Sequence, residues 1–372
     1  MPNHIKQKVL NLNVPKNGAQ RTALIDLITT YTPEKKGLKA LLKAQEPKRK
    51  KIEQSLNKYR KYIETIPSEY LLLPKSEQDI LDIPIQNRVF IYWQSAEDNS
   101  IPGYLSLCLQ TLIKFNPHIT LILINYDNLP ELVGSDLDLQ RLARLTFPIQ
   151  SDLLVMYFTY KYGGAFVDVD TIYTGKFDLF HSADPNTLYA VGKPGSIAHL
   201  AFFLSLKERS FLLWHILQMQ KVKLSLIPTT GEIDLPWDLL GNSIVNPLVV
   251  EAATSPDAPN LHILSNNTIF LETQFGLAKK YQLKGYGWHI YNRFYFYSNA
   301  EISTESIVKA PKHNMACLHN SWTQKKFKEM NVNEFLEQDI VMTRLFKYLL
   351  GDIKEEELIK IPKAKRNSFI EI

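Results

Sequence analysis

The sequence predicts an α/β protein built on a mostly parallel sheet and preceded by a basic helical appendage. Three observations carry that expectation. From Arg88 onward short apolar runs alternate with longer helical ones, the pattern of strands joined by crossover helices. At 372 residues the chain is long enough for one large α/β domain and a smaller unit. Residues 1–65 hold 15 Lys/Arg against 5 Asp/Glu, whereas the remainder holds 28 against 33, so charge divides where the pattern divides.

Taken in order, residues 1–80 read as a basic helical region broken at Pro15, Pro33 and Pro47. Leu38, Leu41 and Leu42 recur at helical spacing, as do Ile52, Leu56, Tyr59 and Ile63. Pro74 and Ile83-Pro84 mark the boundary with an α/β domain expected over 84–330. Strands are predicted at 88–92, 119–125, 165–169 and 187–192, and helices at 102–115, 137–146, 151–161 and 200–220. Residues 229–232 and 236–242 read as loops, and Glu232 and Asp238 lie in them as weak candidates for a general base. An aromatic cluster spans 285–297, where core filling outweighs sugar stacking. A helix at 333–350 and a Lys-rich tail form a separate C-terminal piece, 331–372.

In an open parallel sheet, ligands bind beyond the carboxyl ends of the strands. Trp93 follows the strand 88–92, and Asp168 and Asp170 close the strand that begins at Ala165, so topology directs all three to one crevice. Residues two apart on a strand face the same side. Two carboxylates so placed can share a divalent cation and the diphosphate it carries; their hard oxygen donors suit Mn²⁺ or Mg²⁺. That pairing fits departure of a nucleoside diphosphate from a sugar, because a cation there absorbs the developing negative charge. An Asp-x-Asp triplet alone also occurs on solvated loops; the segment around it decides between the readings.

Ser151-Asp152, a helix ending Tyr160-Lys-Tyr-Gly-Gly164, the apolar strand Ala165-Phe-Val167 and then Asp168-Val-Asp170 resemble the sugar-nucleotide signature of glycosyltransferase family 32. The pattern is similar to that of capsular-polysaccharide sugar transferases and of bacterial glucosylating toxins. Arg88-Val-Phe-Ile-Tyr-Trp93 resembles the family's first strand, Ile101 to Pro117 its first crossover helix and exit, and Leu121-Ile-Leu-Ile-Asn-Tyr-Asp127 its second strand. His319-Asn-Ser-Trp322 resembles a shortened form of its C-terminal segment. The resemblance covers about residues 84 to 325 and implies a GT-A type, Rossmann-like fold that transfers a hexose-type sugar with retention. The implied donor is a UDP-sugar, with a GDP-sugar as the second choice.

The resemblance also implies roles. Asp170 would coordinate the metal directly, and Asp168 would do so through water or hold sugar hydroxyls. Asp152 would contact the donor sugar; capping the start of its helix together with Ser151 is the other reading, and both can hold. Trp93 would stack on the base, or belong to the core. His319 would stand at the metal, and Ser321 and Trp322 would close over the diphosphate, unless the segment is a surface loop. One departure stands out: the family's Arg three residues after Asp152 is Val155 here, and Arg141 or Arg144 is expected to supply charge from another direction.

The basic stretch 35–61 reads either as a solvated helical face or as a surface that adheres to anionic membrane. No nucleic-acid motif accompanies it. No apolar run spans a membrane, and the N-terminus lacks the apolar core of a signal peptide, so a cytoplasmic enzyme is expected. It would sit at the inner membrane face or reach a host cell by a non-classical route. With only Cys108 and Cys317, a disulfide framework is excluded and a buried thiol is expected at Cys108. Three functions compete: an effector that modifies a host protein, a capsule or lipopolysaccharide sugar transferase, and a sugar-nucleotide binding module without catalysis.

Overall fold

The computed structural model describes residues 71–94, 101–173, 175–177, 179–193, 197–231, 234–254, 261–265, 315–317, 323 and 325–352. The helices expected within 1–70, the basic stretch 35–61, Glu232, the aromatic cluster 285–297 and the tail from 353 lie outside the described residues.

A seven-stranded sheet organises the rest. Its strands are β1 (Leu71–Leu72), β2 (Arg88–Tyr92), β3 (Thr120–Ile124), β4 (Gly164–Val167), β6 (Leu188–Lys193), β7 (Ile197–Ser205) and β8 (Leu261–Ser265), in the order β1-β3-β2-β4-β7-β6-β8. Four of the six strand pairs are parallel; only β7 runs against its neighbours β4 and β6. The chain is thus α/β with a mostly parallel sheet, as predicted. A separate ribbon pairs β5 (Thr171–Tyr173) with β9 (Met315–Cys317), antiparallel.

Strand alternation sorts the core into two layers. Val89 and Ile91 of β2, Leu121 and Leu123 of β3, and Ala165 and Val167 of β4 face one side. There they meet α2 (Gly103–Phe115), α10 (Val332–Leu336) and α11 (Val341–Leu350). Phe90, Ile122, Ile124 and Phe166 face the other, against α5 (Phe147–Tyr162), α7 (Phe211–Ser225) and α8 (Asn242–Thr254). With both faces covered, the strands carry near-continuous apolar runs, which is why they read so clearly in the sequence. The described residues hold smaller helices as well: α1 (Glu77–Leu81), α3 (Leu129–Val133), α4 (Leu139–Leu142), α6 (Leu179–Ser182) and α9 (Lys325–Lys328). The Cys108 thiol is buried and in no disulfide, as expected. No helix among the described residues is long and apolar enough to cross a membrane.

Several expectations need correction. The helix predicted over 200–220 is two elements: β7 to Ser205, then α7 from Phe211. A buried apolar strand and a buried helix look alike over a short window, and the break lies at Arg209, whose φ is 54°. The helix expected at 137–146 shrinks to the four residues of α4, while α5 starts earlier than expected, at Phe147 after the N-cap Thr146. The sheet begins at Leu71, upstream of residue 84. The expected C-terminal piece is part of the core: Phe335, Met342, Leu345 and Phe346 belong to the α2 side, and a Cβ on Gly103 would come within 2.5 Å of the Asn331–Val332 backbone.

Two devices set the position of β4. At its start Gly163 and Gly164 adopt φ of 63° and 91°, which L side chains rarely take. There the buried Arg88 guanidinium donates to the carbonyls of Ile83, Leu81 and Tyr162 and pairs with Glu208 at 2.9 Å. At the other end of β4, the amide of Asp168 donates to the Ala201 carbonyl at 2.8 Å, extending the pairing with β7 to the first acid.

Candidate functional site

The parallel strands β2, β3 and β4 end on one edge of the sheet. The Trp93 amide donates to the Ile124 carbonyl there at 3.1 Å, and the half-buried indole packs on the α2-side core. Beside it, Tyr92 and Tyr126 both donate to Gln150 Oε1, at 2.6 and 2.8 Å, and the Tyr126 amide donates to Gln94 at 2.7 Å. Gln150 is fully buried and donates in turn to the Leu145 carbonyl. This satisfied network holds the ends of β2 and β3 against the first turn of α5.

The Asp168–Asp170 turn is held from both sides. β7 binds Asp168 from one flank, as above. After Asp170, Thr171 pairs opposite Cys317, the Tyr173 amide donates to Thr111 Oγ1 at 2.9 Å, and the Phe177 amide donates to Asn116 Oδ1 at 2.9 Å. Strand, ribbon and helix α2 therefore leave this turn little freedom. Asp170 is 7% exposed and Asp168 is half-buried. Burial, and then the charge of Asp170, push the Asp168 carboxyl well above the ordinary carboxylate range.

Asp152 joins them from α5. Burial, then Asp168, then Asp238 push its carboxyl up as well. It lies inside α5, five residues past the helix start, so the cap reading of Ser151-Asp152 is overturned by the helix beginning at Phe147. The carboxylate rests on Gly241, where a Cβ would overlap Asp152 Oδ2 and come 2.7 Å from Leu200 Cδ1. Asp238 stands on the loop leading to α8. Lys328, on α9, faces Asp170: burial lowers its ammonium and the charge of Asp170 partly restores it.

Three further sequence expectations have their outcome here. His319, Ser321 and Trp322 lie outside the described residues. Val155 is buried in the core layer against α7 and α8, so it presents no charge to the acids. Of the two arginines expected to supply charge instead, Arg141 pairs with Asp138 and donates to the Ile227 carbonyl at 2.9 Å, and Arg144 donates to the Gly231 carbonyl. Lys328 and the Gly241 cradle were missed by sequence reasoning. Neither carries a local motif; each reaches the acids through tertiary packing.

Whether the donor set fits a divalent cation can be judged from its chemistry. Asp168 and Asp170 offer hard oxygen donors; burial and then the charge of Asp170 raise the Asp168 carboxyl, a cost that a bound cation would relieve. Among the described residues no three His, Cys, Asp or Glu side chains form a metal-holding group. The pair by itself would leave most of a cation's coordination to water or a bound ligand. No family model, no curated protein and no solved structure matches this chain.

Proposed function

We propose that the protein is a metal-dependent, retaining glycosyltransferase of GT-A type that moves a hexose-type sugar from a nucleoside-diphosphate sugar, a UDP-sugar first and a GDP-sugar second. The observation that carries the reading is the Asp168–Asp170 pair at the carboxyl end of the central strand, where burial and then the charge of Asp170 raise the proton affinity of the Asp168 carboxyl. Asp170 and Asp168 would hold Mn²⁺ or Mg²⁺, which supplies neutralisation of the departing diphosphate. Trp93, at the end of β2, supports a base-stacking role on the same edge. Asp152, whose carboxyl feels the charge of Asp168, would hold sugar hydroxyls.

The segment His319 to Trp322 supports the reading through its neighbours. The chain is opposite Thr171 at Cys317 and acts on Asp170 again at Lys328, so residues flanking that segment are beside the acids on both sides. Lys328 adds a cation where diphosphate charge develops. Same-face attack with the leaving phosphate taking the acceptor proton requires no dedicated base.

A second reading, a sugar-nucleotide binding module, is favoured by Val155 standing buried and apolar where the resembling family has Arg. Donor hydrolysis across UDP- and GDP-sugars, with Mn²⁺, with Mg²⁺ and with chelator, separates the two. Metal-dependent release from one donor, lost in Asp170→Ala, is expected. Donor binding with neither hydrolysis nor transfer in any condition would overturn the enzyme and leave the module. If His319 joins the metal, Mn²⁺ should outperform Mg²⁺.

A further inference from the structure

The loop between α7 and α8 is braced from within. Gln220 Nε2 donates to the carbonyls of Asp152 at 2.7 Å and Leu240 at 2.5 Å, tying α5 to the loop. Lys223 Nζ donates to the Leu239 carbonyl and to Ser243 Oγ, both at 3.0 Å, and Ser243 Oγ donates to the Asp238 carbonyl at 2.8 Å. Gln220 and Lys223 are both buried. On this rigid support sits Trp237, 71% exposed, immediately before Asp238, whose charge reaches Asp152.

A lone surface Trp needs no explanation, but one carried on a loop that a buried polar frame ties to the backbone of Asp152 is pre-ordered for a ligand. An indole offers a flat apolar face with a polar N–H at its edge. A pyranose offers the complement: a face of C–H bonds ringed by hydroxyls, which a neighbouring carboxylate can accept from. A protein acceptor would need a wide surface instead of one ring-sized plate.

We propose that Trp237 and Asp238 form the acceptor subsite, and that the acceptor is a saccharide: one sugar ring stacks on the indole while Asp238 accepts from its hydroxyls. This rests on the transferase reading given above. The reacting hydroxyl of that ring would take the sugar, forming the new glycosidic bond as the donor's sugar–phosphate bond breaks. Its proton would leave with the nucleoside diphosphate.

The test runs in two arms. In the first, wild-type protein, Trp237→Phe and Trp237→Ala are titrated with methyl glycosides and short oligosaccharides and followed by ligand-observed saturation-transfer NMR, without donor. A saccharide that binds wild type, binds Trp237→Phe more weakly and loses about tenfold in affinity with Trp237→Ala supports the subsite. In the second, the same saccharides are added to the hydrolysed donor. The ratio of transfer to hydrolysis should fall about tenfold in Trp237→Ala, chiefly through acceptor KM. A wild-type protein that neither hydrolyses a donor nor transfers its sugar to any saccharide overturns the transferase reading, and the binding arm still judges the subsite. Saccharide binding that Trp237→Ala leaves intact overturns the subsite, as does transfer to a protein in a lysate with none to any saccharide.

Discussion

At Asp168 three effects meet: burial, a like charge two residues on, and the absence of any donor to its carboxylate among the described hydrogen bonds. Its carboxyl is raised, so the folded chain binds that proton more tightly than the unfolded chain does. The ionised form therefore costs stability once pH rises above the unfolded value of 3.8, and the cost is absent in stronger acid. Asp168→Asn should raise the melting temperature near neutral pH, by on the order of 2 °C for each kcal/mol relieved in a chain of this size. The gain should vanish on acidification, and a melt series against pH checks both. Saturating Mn²⁺ should raise the wild-type melting temperature by mass action and raise that of Asp168→Asn and Asp170→Asn far less. The two acids were legible because their spacing and the apolar run before them are local. Asp152 was legible through its place in the same block. Lys328 was not: it lies 158 positions after Asp170 and comes within reach of its charge only through the tertiary packing of α9 on α2.

The elements that deliver these residues depend on their turns. Gly163-Gly164 joins α5 to β4, and the sequence indicated its purpose, since only glycine takes positive φ there without strain. A Cβ on Gly164 would stand 2.7 Å from both Cβ and the carbonyl oxygen of Arg88, so substitution combines backbone strain with a backbone clash. Gly134 separates the two effects: its φ is 51°, but a Cβ there would meet nothing within 4 Å. Gly164→Ala should cost about 2–4 kcal/mol, and Gly134→Ala about 1 kcal/mol, measured by urea unfolding at constant m. Equal costs would show that strain alone sets the price at both sites. The strands β2 and β3 were read almost to the residue because sheet burial on both faces makes each an unbroken apolar run. The same property misled at β7, whose His199-Leu-Ala-Phe-Phe-Leu-Ser205 is as apolar as a buried helix. Only the Arg209 turn, with its positive φ, divides it from α7.

Across the whole molecule, the division expected before residue 331 does not hold. α10 and α11 cover the α2 side of the sheet, and Tyr104 of α2 packs on Phe335 with ring centroids 5.7 Å apart. Phe335 in turn meets Phe327 at 5.9 Å and Phe346 at 6.3 Å, so one ring links α9, α10 and α11. No local pattern announces this, because the helices are separate amphipathic turns whose partner lies more than 200 positions earlier. The consequence reaches the acids: α2 also anchors the segment after Asp170, through Thr111 and Asn116. Removing residues 331–372 should therefore expose the α2 layer and abolish cooperative melting, instead of trimming an appendage. Phe335→Ala, which keeps the chain intact, should cost about 3–5 kcal/mol in a single cooperative transition. Because α2 carries both the core contact and the anchor, that variant should also weaken Mn²⁺ binding at temperatures where it remains folded. A Phe335→Ala protein with wild-type metal affinity would mean that the ribbon and β7 hold Asp168 and Asp170 without help from α2.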